Sequence, residues 1–146
     1  MAPFLRLSLH LSDNDGSSNS SLVTNLLSGS AWVEGASTTM TTAAGRVRAT
    51  RNGGNPRVYK EVTLVPGATY RLTGTCFQGT QSGAMIIRVS ASAGLPDGDL
   101  GSSMTTHAIN NDFIASTTTM YVGMVCVTTN DGEYAEISEN LSLVRV

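Results

Sequence analysis

The side chains of this sequence that could do chemistry begin with two histidines, His10 and His107. His10 lies in an alternating run and His107 in a polar stretch, and neither belongs to a nucleophile elbow, a cysteine–histidine signature or a zinc-binding motif. Catalytic sets assemble in space rather than in sequence, so a hydrolase that depends on His107 remains one alternative. Since no part of a known catalytic motif is visible, we expect that the protein is not an enzyme.

Three short acidic segments resemble calcium-binding loops but fail the required spacing. An EF-hand loop needs an acid at its first position and a glutamate at its last, with a glycine between them. Around Gly16 those two positions are Leu11 and Leu22, and the other two segments also lack an acid at a ligand position. All three are predicted to be turns: "DNDG" at 13–16, "PDGD" at 96–99 and "NDGE" at 130–133.

Charge and hydropathy exclude several classes of partner. The net charge is −2, and the single lysine, Lys60, and the arginines form no basic block of the kind that binds nucleic acid. No apolar run approaches the ~20 residues of a membrane helix, and the alternating start "MAPFLRLSLHL" lacks the apolar core of a signal peptide. We therefore expect neither nucleic acid nor membrane as a partner. Synthesis in the cytoplasm would leave Cys76 and Cys126 as reduced, buried hydrophobes.

The composition is typical of an all-β protein. The 146 residues include 17 serines, 18 threonines and 15 glycines, which favour strands and turns over helix interiors. Alternating segments separated by turn signals predict about nine strands, and no segment sustains a helical period. The predicted fold is a jelly-roll β-sandwich of two antiparallel sheets over residues 21–146, with an N-terminal strand on a linker. The predicted strands are 22–27, 31–35, 45–50, 57–65, 69–77, 84–92, 119–127 and 135–146, and 93–111 is a long loop or short edge strands.

Three dipeptides predict tight reversals of the chain. In the Pro66-Gly67 turn, proline fixes φ at the first central position and Gly67 supplies the positive φ at the second, which is typical of a type II turn. Beyond this turn, Tyr70, Leu72 and Cys76 share one face, so the segment 59–77 is predicted to be a hairpin that feeds the core. The dipeptides are Asn52-Gly53, Pro66-Gly67 and Asp131-Gly132.

Residues 1–20 are predicted to be a separate unit, an N-terminal strand followed by a polar linker. The linker "SDNDGSSNSS" contains no apolar residue. The strand either folds back onto its own sheet or reaches a neighbouring molecule and completes that molecule's sheet. In the second case the partner-binding face consists of Leu5, Leu7, Leu9 and Leu11.

The segments "NLLSGSAW", "GRVRA", "VTLVPGATYRL" and "SENLSLVRV" follow one another in this order. Their order and patterns resemble the carbohydrate-binding-module type of jelly roll, related to galactose-binding-like domains. In a sugar-binding member, aromatic side chains hold the ligand, which points here to Trp32 and Tyr59 as glycan contacts; the alternative for Trp32 is a core position. Some relatives bind a structural calcium through an early loop and a late acid, which correspond here to Asn25 and Glu139. No other metal or cofactor is expected.

The resemblance also carries the prediction of function, because such domains serve tailed phages as tail-fibre modules and as capsid decoration proteins. With the Ser/Thr-rich composition and the N-terminal strand, it favours a virion structural protein. We expect a homo-oligomeric capsid decoration or cementing protein that binds across shell subunits, with the major capsid protein or another virion protein as its partner. The alternative is a glycan-binding module of a tail fibre or a secreted hydrolase.

Overall fold

The computed structural model describes residues 23–146, which form a sandwich of two antiparallel β-sheets. The described residues form no helix that is long and apolar enough to span a membrane. The strands are β1 Val33–Glu34, β2 Thr38–Ala43, β3 Arg46–Arg51, β4 Arg57–Thr63, β5 Thr69–Phe77, β6 Met85–Ser90, β7 Asp99–Ser103, β8 His107–Ile114, β9 Thr119–Cys126, β10 Tyr134–Ser138 and β11 Ser142–Arg145.

The first sheet has five strands in the order β1-β4-β9-β6-β7. β9 lies at its centre and pairs with β4 on one side and with β6 on the other. Its sequence, "TMYVGMVC", is apolar at nearly every position, as expected for a strand that has a neighbour on both edges; residues 122–126 are buried, whereas Thr119 is exposed and Tyr121 partly exposed.

The second sheet has six strands and is organised by β5. β8 pairs with β5 along almost its whole length on one side. On the other side, β11 pairs with residues 70–73 of β5 and β10 pairs with Cys76 and Phe77. β3 and β2 continue the sheet from β10.

The core lies between the two sheets and is built from every second residue of the strands. On β5, Tyr70, Leu72 and Cys76 face inward as predicted from the sequence, and Gly74 leaves room for the side chain of Leu141. Each fully buried aliphatic side chain stabilises the fold by about 1.5–3 kcal/mol. The largest of these residues are Leu27, Val47, Val58, Leu72, Met85, Ile87, Val122, Met124, Ile137, Leu141 and Leu143.

The predicted fold class is confirmed for residues 23–146, which form eleven strands. About nine strands were predicted for the whole chain, and the one predicted at 22–27 is wrong for its described part, because residues 26–29 form a turn. The Thr-rich strand β2 was not predicted. The segment 93–111, predicted as a long loop or short edge strands, contains the short edge strand β7 and the first part of the longer strand β8. The last predicted strand is divided into β10 and β11, and the strand predicted at 84–92 ends at Ser90. The N-terminal strand, with Leu5, Leu7, Leu9 and Leu11, lies outside the described residues.

The predicted hairpin at 59–77 is wrong in its pairing. β4 belongs to the five-stranded sheet and β5 to the six-stranded sheet, so the turn at Pro66-Gly67 carries the chain from one sheet to the other. The turns at Asn52-Gly53 and Asp131-Gly132 also carry the chain from one sheet to the other. A tight turn sequence shows that the chain reverses, but it does not show whether the returning strand pairs with its predecessor or crosses to the facing sheet.

The turn at Gly67 provides a test of local backbone strain. Gly67 has φ +81°, which a β-branched residue rarely adopts, and no atom lies within 4 Å of the position where its Cβ would be. We expect Gly67→Val to lower the free energy of unfolding by about 1–2 kcal/mol through backbone strain alone, as measured by urea denaturation. Gly67→Asn should cost less, because asparagine tolerates this conformation. Equal stability of Gly67→Val and the parent would contradict the assigned turn.

Candidate functional site

The outer surface of the five-stranded sheet carries the side chains best placed to bind a ligand. Successive residues of a strand point to opposite faces, so the positions between the core residues of β4, β9 and β6 face away from the core. These outward positions are Arg57, Tyr59, Glu61 and Thr63 on β4, Thr119, Tyr121, Gly123 and Val125 on β9, and Ile86, Arg88 and Ser90 on β6.

Tyr59 and Tyr121 form an aromatic pair on this surface. Their ring centroids are 5.8 Å apart and their planes meet at 84°, the edge-to-face arrangement that aromatic rings favour. Val33 of β1 lies opposite Tyr59 and is 38% exposed, and Glu61 lies opposite Tyr121. We call Val33, Tyr59, Glu61 and Tyr121 the tyrosine surface.

The tyrosine surface combines apolar rings with groups that form hydrogen bonds. Each tyrosine adds a phenolic hydroxyl, and Glu61 adds an exposed carboxylate that takes part in none of the ion pairs among the described residues. An aromatic ring beside hydrogen-bonding groups suits a ligand with an apolar face and a hydroxylated edge, such as a sugar ring. The described residues enclose no pocket, so such a ligand would lie on an open surface.

Gly123 determines how closely the strands beneath the tyrosine surface approach. It lies opposite Tyr59 on β4 and opposite Arg88 on β6. A methyl group on its α-carbon would overlap the carbonyl oxygen of Val58 and lie 2.7 Å from the α-carbon of Tyr59. Glycine is therefore required at this position by the contact between β9 and β4.

The loop between β6 and β7, residues 91–98, lies against the same outer surface; we call it the β6–β7 loop. Arg57 donates a hydrogen bond from Nη1 to the carbonyl oxygen of Gly94 at 2.8 Å. Arg88 donates from Nη1 to the carbonyl oxygen of Leu95 at 2.9 Å. Because both arginines occupy outward positions, these contacts hold the loop over the sheet.

Two hydrophobic residues, Leu95 and Val125, are buried outside the core. Leu95 is 0% exposed and Val125 is 4% exposed, yet neither belongs to the cluster between the sheets. Val125 occupies an outward position of β9 between Arg57 and Ile86, so groups on the outer surface cover it. We infer that the β6–β7 loop provides this cover through Leu95.

Trp32 lies apart from the tyrosine surface. Its ring packs against the core cluster, and its Nε1 donates a hydrogen bond to the backbone oxygen of Glu139 at 3.0 Å. The inward-pointing Lys60 places its Nζ 5.3 Å from the centroid of the Trp32 ring and 3.3 Å from the backbone oxygen of Leu27. Burial lowers the pKa of Lys60, and the nearby negative charge of Glu139 opposes this shift.

Asn25 joins the start of the described chain to the last strand. Its Oδ1 accepts hydrogen bonds from the backbone N–H groups of Leu27 at 3.0 Å and Leu143 at 2.9 Å. Its Nδ2 donates to the backbone oxygen of Leu141 at 2.8 Å. We call this set of three hydrogen bonds the Asn25 clamp.

In the described structure, Asn25 is bound by the protein itself and Glu139 lies near a protein cation. The amide oxygen of Asn25 already accepts two N–H groups, and the cation close to Glu139 is the ammonium of Lys60. Within residues 23–146, no three side chains of histidine, cysteine, aspartate or glutamate are grouped as metal ligands. Calcium binding at Asn25 and Glu139 stays a prediction from the resemblance.

The histidine and the cysteines of the described chain form no reactive set. His107 lies on β8 opposite Cys76, with Nδ1 3.0 Å from the backbone oxygen of Thr105. Burial raises the pKa of both thiols, to about 12 for Cys126, so at neutral pH they stay protonated and are poor nucleophiles. No thiolate is therefore available beside His107.

The two residues predicted as glycan contacts are not brought together. Tyr59 belongs to the tyrosine surface, whereas Trp32 packs against the core with its indole N–H already bonded. Tyr121 was not predicted as a glycan contact, and the segment around it, 119–127, was predicted only as a strand. Its alternation with Met120 and Val122 was the signal that could have placed it beside Tyr59 on the outer surface.

The architecture is shared with solved carbohydrate-binding modules. A structure described as CBM4 superposes with a TM-score of 0.57 at 7% identity, over 85% of this chain and 94% of that chain. The N-terminal cellulose-binding domain of Cellulomonas fimi β-1,4-glucanase C gives a TM-score of 0.55 at 17% identity, over 79% and 88%.

A third similar structure contains CBM22-1 and GH10 modules of the Clostridium thermocellum endo-1,4-β-D-xylanase 10B, in complex with xylohexaose. It gives a TM-score of 0.59 at 12% identity, over 86% of this chain but only 27% of that longer chain. No family profile and no curated protein matches the sequence. The structural likenesses show the fold, a jelly roll of the carbohydrate-binding-module type.

Proposed function

We propose that this chain is a glycan-binding module that holds a saccharide on the tyrosine surface. The observation that carries the proposal is the pair of Tyr59 and Tyr121, edge-to-face and partly exposed on the outer surface of the five-stranded sheet. The fold supports it, since similar structures include a cellulose-binding domain and a longer chain of CBM22-1 and GH10 modules in complex with xylohexaose. Fold alone does not fix function, so the site carries the argument.

The physical basis of binding is the match between the surface and a sugar ring. A sugar has C–H groups on its ring faces and hydroxyl groups along its edge. The tyrosine rings would bury the C–H face, while the carboxylate of Glu61 and the phenolic hydroxyls would form hydrogen bonds with the edge. Such an open, shallow contact gives modest affinity, because little ligand surface is removed from water.

A glycan array followed by isothermal titration calorimetry tests the proposal. We expect saturable binding to at least one saccharide, and an affinity about tenfold or more lower in Tyr59→Ala and in Tyr121→Ala, since each change removes buried ring area. Tyr134→Ala is the matched control, because Tyr134 is a partly exposed tyrosine on the outer surface of the other sheet, beneath Arg48. Equal losses in all three variants, or no binding to the array, would contradict the proposal.

Trp32→Phe distinguishes the two interpretations of the only tryptophan. The change removes the hydrogen bond to the backbone of Glu139 and part of the packing on the core. Because Trp32 packs against the core, we expect Trp32→Phe to have a lower melting temperature and an unchanged affinity for the saccharide. Loss of affinity without loss of stability would return Trp32 to the binding site.

Attachment to a virion stays a prediction from the sequence. In that proposal the module is part of a capsid decoration protein or a tail fibre and forms a homo-oligomer, with the four-leucine face of residues 5–11 as its contact. Co-sedimentation of the full chain with capsids tests the attachment.

A further inference from the structure

We propose that the β6–β7 loop closes one side of the tyrosine surface, so that the ligand is a neutral glycan chain end or a short oligosaccharide rather than the middle of a long chain. The inference rests on the proposed function and specifies its ligand. Four observations carry it: the path of the loop, the burial beneath it, its anchors and the charges left free around the tyrosines.

The path of the loop takes it across the sheet. Ser90, the last residue of β6, lies opposite Tyr121, so the loop starts beside the tyrosine surface. Gly94 nevertheless reaches Arg57 on β4, and β9 separates β4 from β6. Two strand spacings are about 10 Å, so the loop and the side chain of Arg57 must meet above β9 for this hydrogen bond to form.

The outer side of β9 opposite Arg57 and Arg88 is closed to solvent. Gly123 and Val125, both on the outer side of β9, are buried, as is Leu95 within the loop. Arg57 Nε is also buried and has no hydrogen-bond partner among the described residues. The tyrosines remain partly exposed, so the covered area begins where the tyrosine surface ends.

Side-chain hydrogen bonds anchor the loop at several points. Arg88 reaches the backbone oxygens of both Leu95 and Pro96 and pairs with Asp99, and Ser90 Oγ donates to Asp97 Oδ1 at 2.7 Å. Leu95 has φ +53°, a left-handed conformation that a leucine rarely adopts without such support. The loop therefore forms a fixed wall rather than a freely moving segment.

The charges favour a neutral ligand. Arg88 binds Asp99 and the loop, and Arg57 donates to the loop, so both cations on this side are engaged by the protein itself. Glu61 is the exposed charged group of the tyrosine surface, and its carboxylate would repel a uronate or a sulfated sugar. The open area spans β1, β4 and β9, roughly 10 Å, which accommodates about two sugar rings.

The test is the dependence of affinity on ligand length. Calorimetry with neutral β-1,4-linked xylo- and cello-oligosaccharides, from monosaccharide to hexasaccharide, should show affinity that rises to the disaccharide and then changes by less than about threefold. The same titration with a uronic acid oligosaccharide should show binding at least about tenfold weaker. Affinity that rises by tenfold or more between disaccharide and hexasaccharide would overturn the inference and leave the proposed function standing.

Two substitutions should remove the barrier that the β6–β7 loop forms beside the tyrosine surface. Leu95→Gly removes the covering side chain and accepts the positive φ, and Arg57→Met removes the anchor to Gly94. Each should bind the hexasaccharide about tenfold more tightly than the parent while binding of the disaccharide stays unchanged. Met104→Gly, at an exposed residue after β7, is the control and should behave as the parent. Folded variants that bind every length as the parent does would contradict the inference. A parent that binds no saccharide would overturn the proposed function and this inference together.

Discussion

Asn25→Ala is expected to lower the free energy of unfolding by about 2–4 kcal/mol, because the substitution leaves two backbone N–H groups and one carbonyl without their partner. These groups belong to Leu27, Leu143 and Leu141, whose side chains are fully buried in the core. Water reaches such backbone groups only if the packing loosens. Chemical denaturation followed by tryptophan fluorescence measures the change, since Trp32 is the only tryptophan.

Asn25→Asp and Asn140→Ala are the controls for this prediction. An aspartate side chain would keep the acceptor of the clamp but lose the donor to Leu141, so Asn25→Asp should fall between the parent and Asn25→Ala. Asn140 is an exposed asparagine near the same strand, and its replacement should change stability by less than about 0.5 kcal/mol. If Asn25→Ala were no less stable than Asn140→Ala, the Asn25 clamp would not contribute to the fold.

Gly123→Val is expected to cost about 3 kcal/mol or more and to abolish saccharide binding together with stability. The new side chain would meet the backbone of Val58 and Tyr59 rather than the end of a flexible side chain, so the strands must separate to accommodate it. Separation of β9 from β4 would also displace Tyr59 relative to Tyr121. Thermal unfolding and calorimetry with the best saccharide measure the two effects.

Gly101→Val provides the matched comparison within the same sheet. Gly101 lies on the edge strand β7, and the nearest atom to an added Cβ is 4.0 Å away. Valine has a higher strand propensity than glycine, so this variant should be as stable as the parent or slightly more stable. Equal stability of Gly123→Val and Gly101→Val would contradict the close approach of β9 to β4.

The strands with a clear apolar pattern could be predicted from sequence, and those without one could not. β5 was predicted with its bounds, and β3, β4 and β6 within a few residues, because each faces the core on one side. β9 was predicted within one residue, because it is apolar at nearly every position. β2, "TTMTTA", lies at a sheet edge and buries little, so it carries almost no apolar period. β8 contains an Asn-Asn-Asp run that interrupts the apolar pattern between its inward residues Ile109 and Phe113.

The candidate site was predictable only in part. Tyr59 could be selected as an aromatic residue on a strand, but its partner Tyr121 lies on a strand that is distant in sequence and adjacent in the sheet. The position of the β6–β7 loop depends on hydrogen bonds from Arg57 and Arg88 to backbone oxygens. Every residue has a backbone carbonyl oxygen, so residue types do not show which of them accept these hydrogen bonds. Neither the position of the β6–β7 loop nor the hydrogen bonds that hold it could therefore be predicted.

The central position of β9 has a consequence for synthesis of the chain on the ribosome. β1 pairs with β4, and β6 pairs with β7, but these two pairs meet only through β9, which contains residues 119–126. Until that segment emerges, half of the five-stranded sheet cannot pair with the other half. The nascent domain therefore depends on late, long-range pairing, the kind of topology that folds in milliseconds to seconds rather than microseconds. During this interval the chain is most exposed to aggregation and to capture by chaperones.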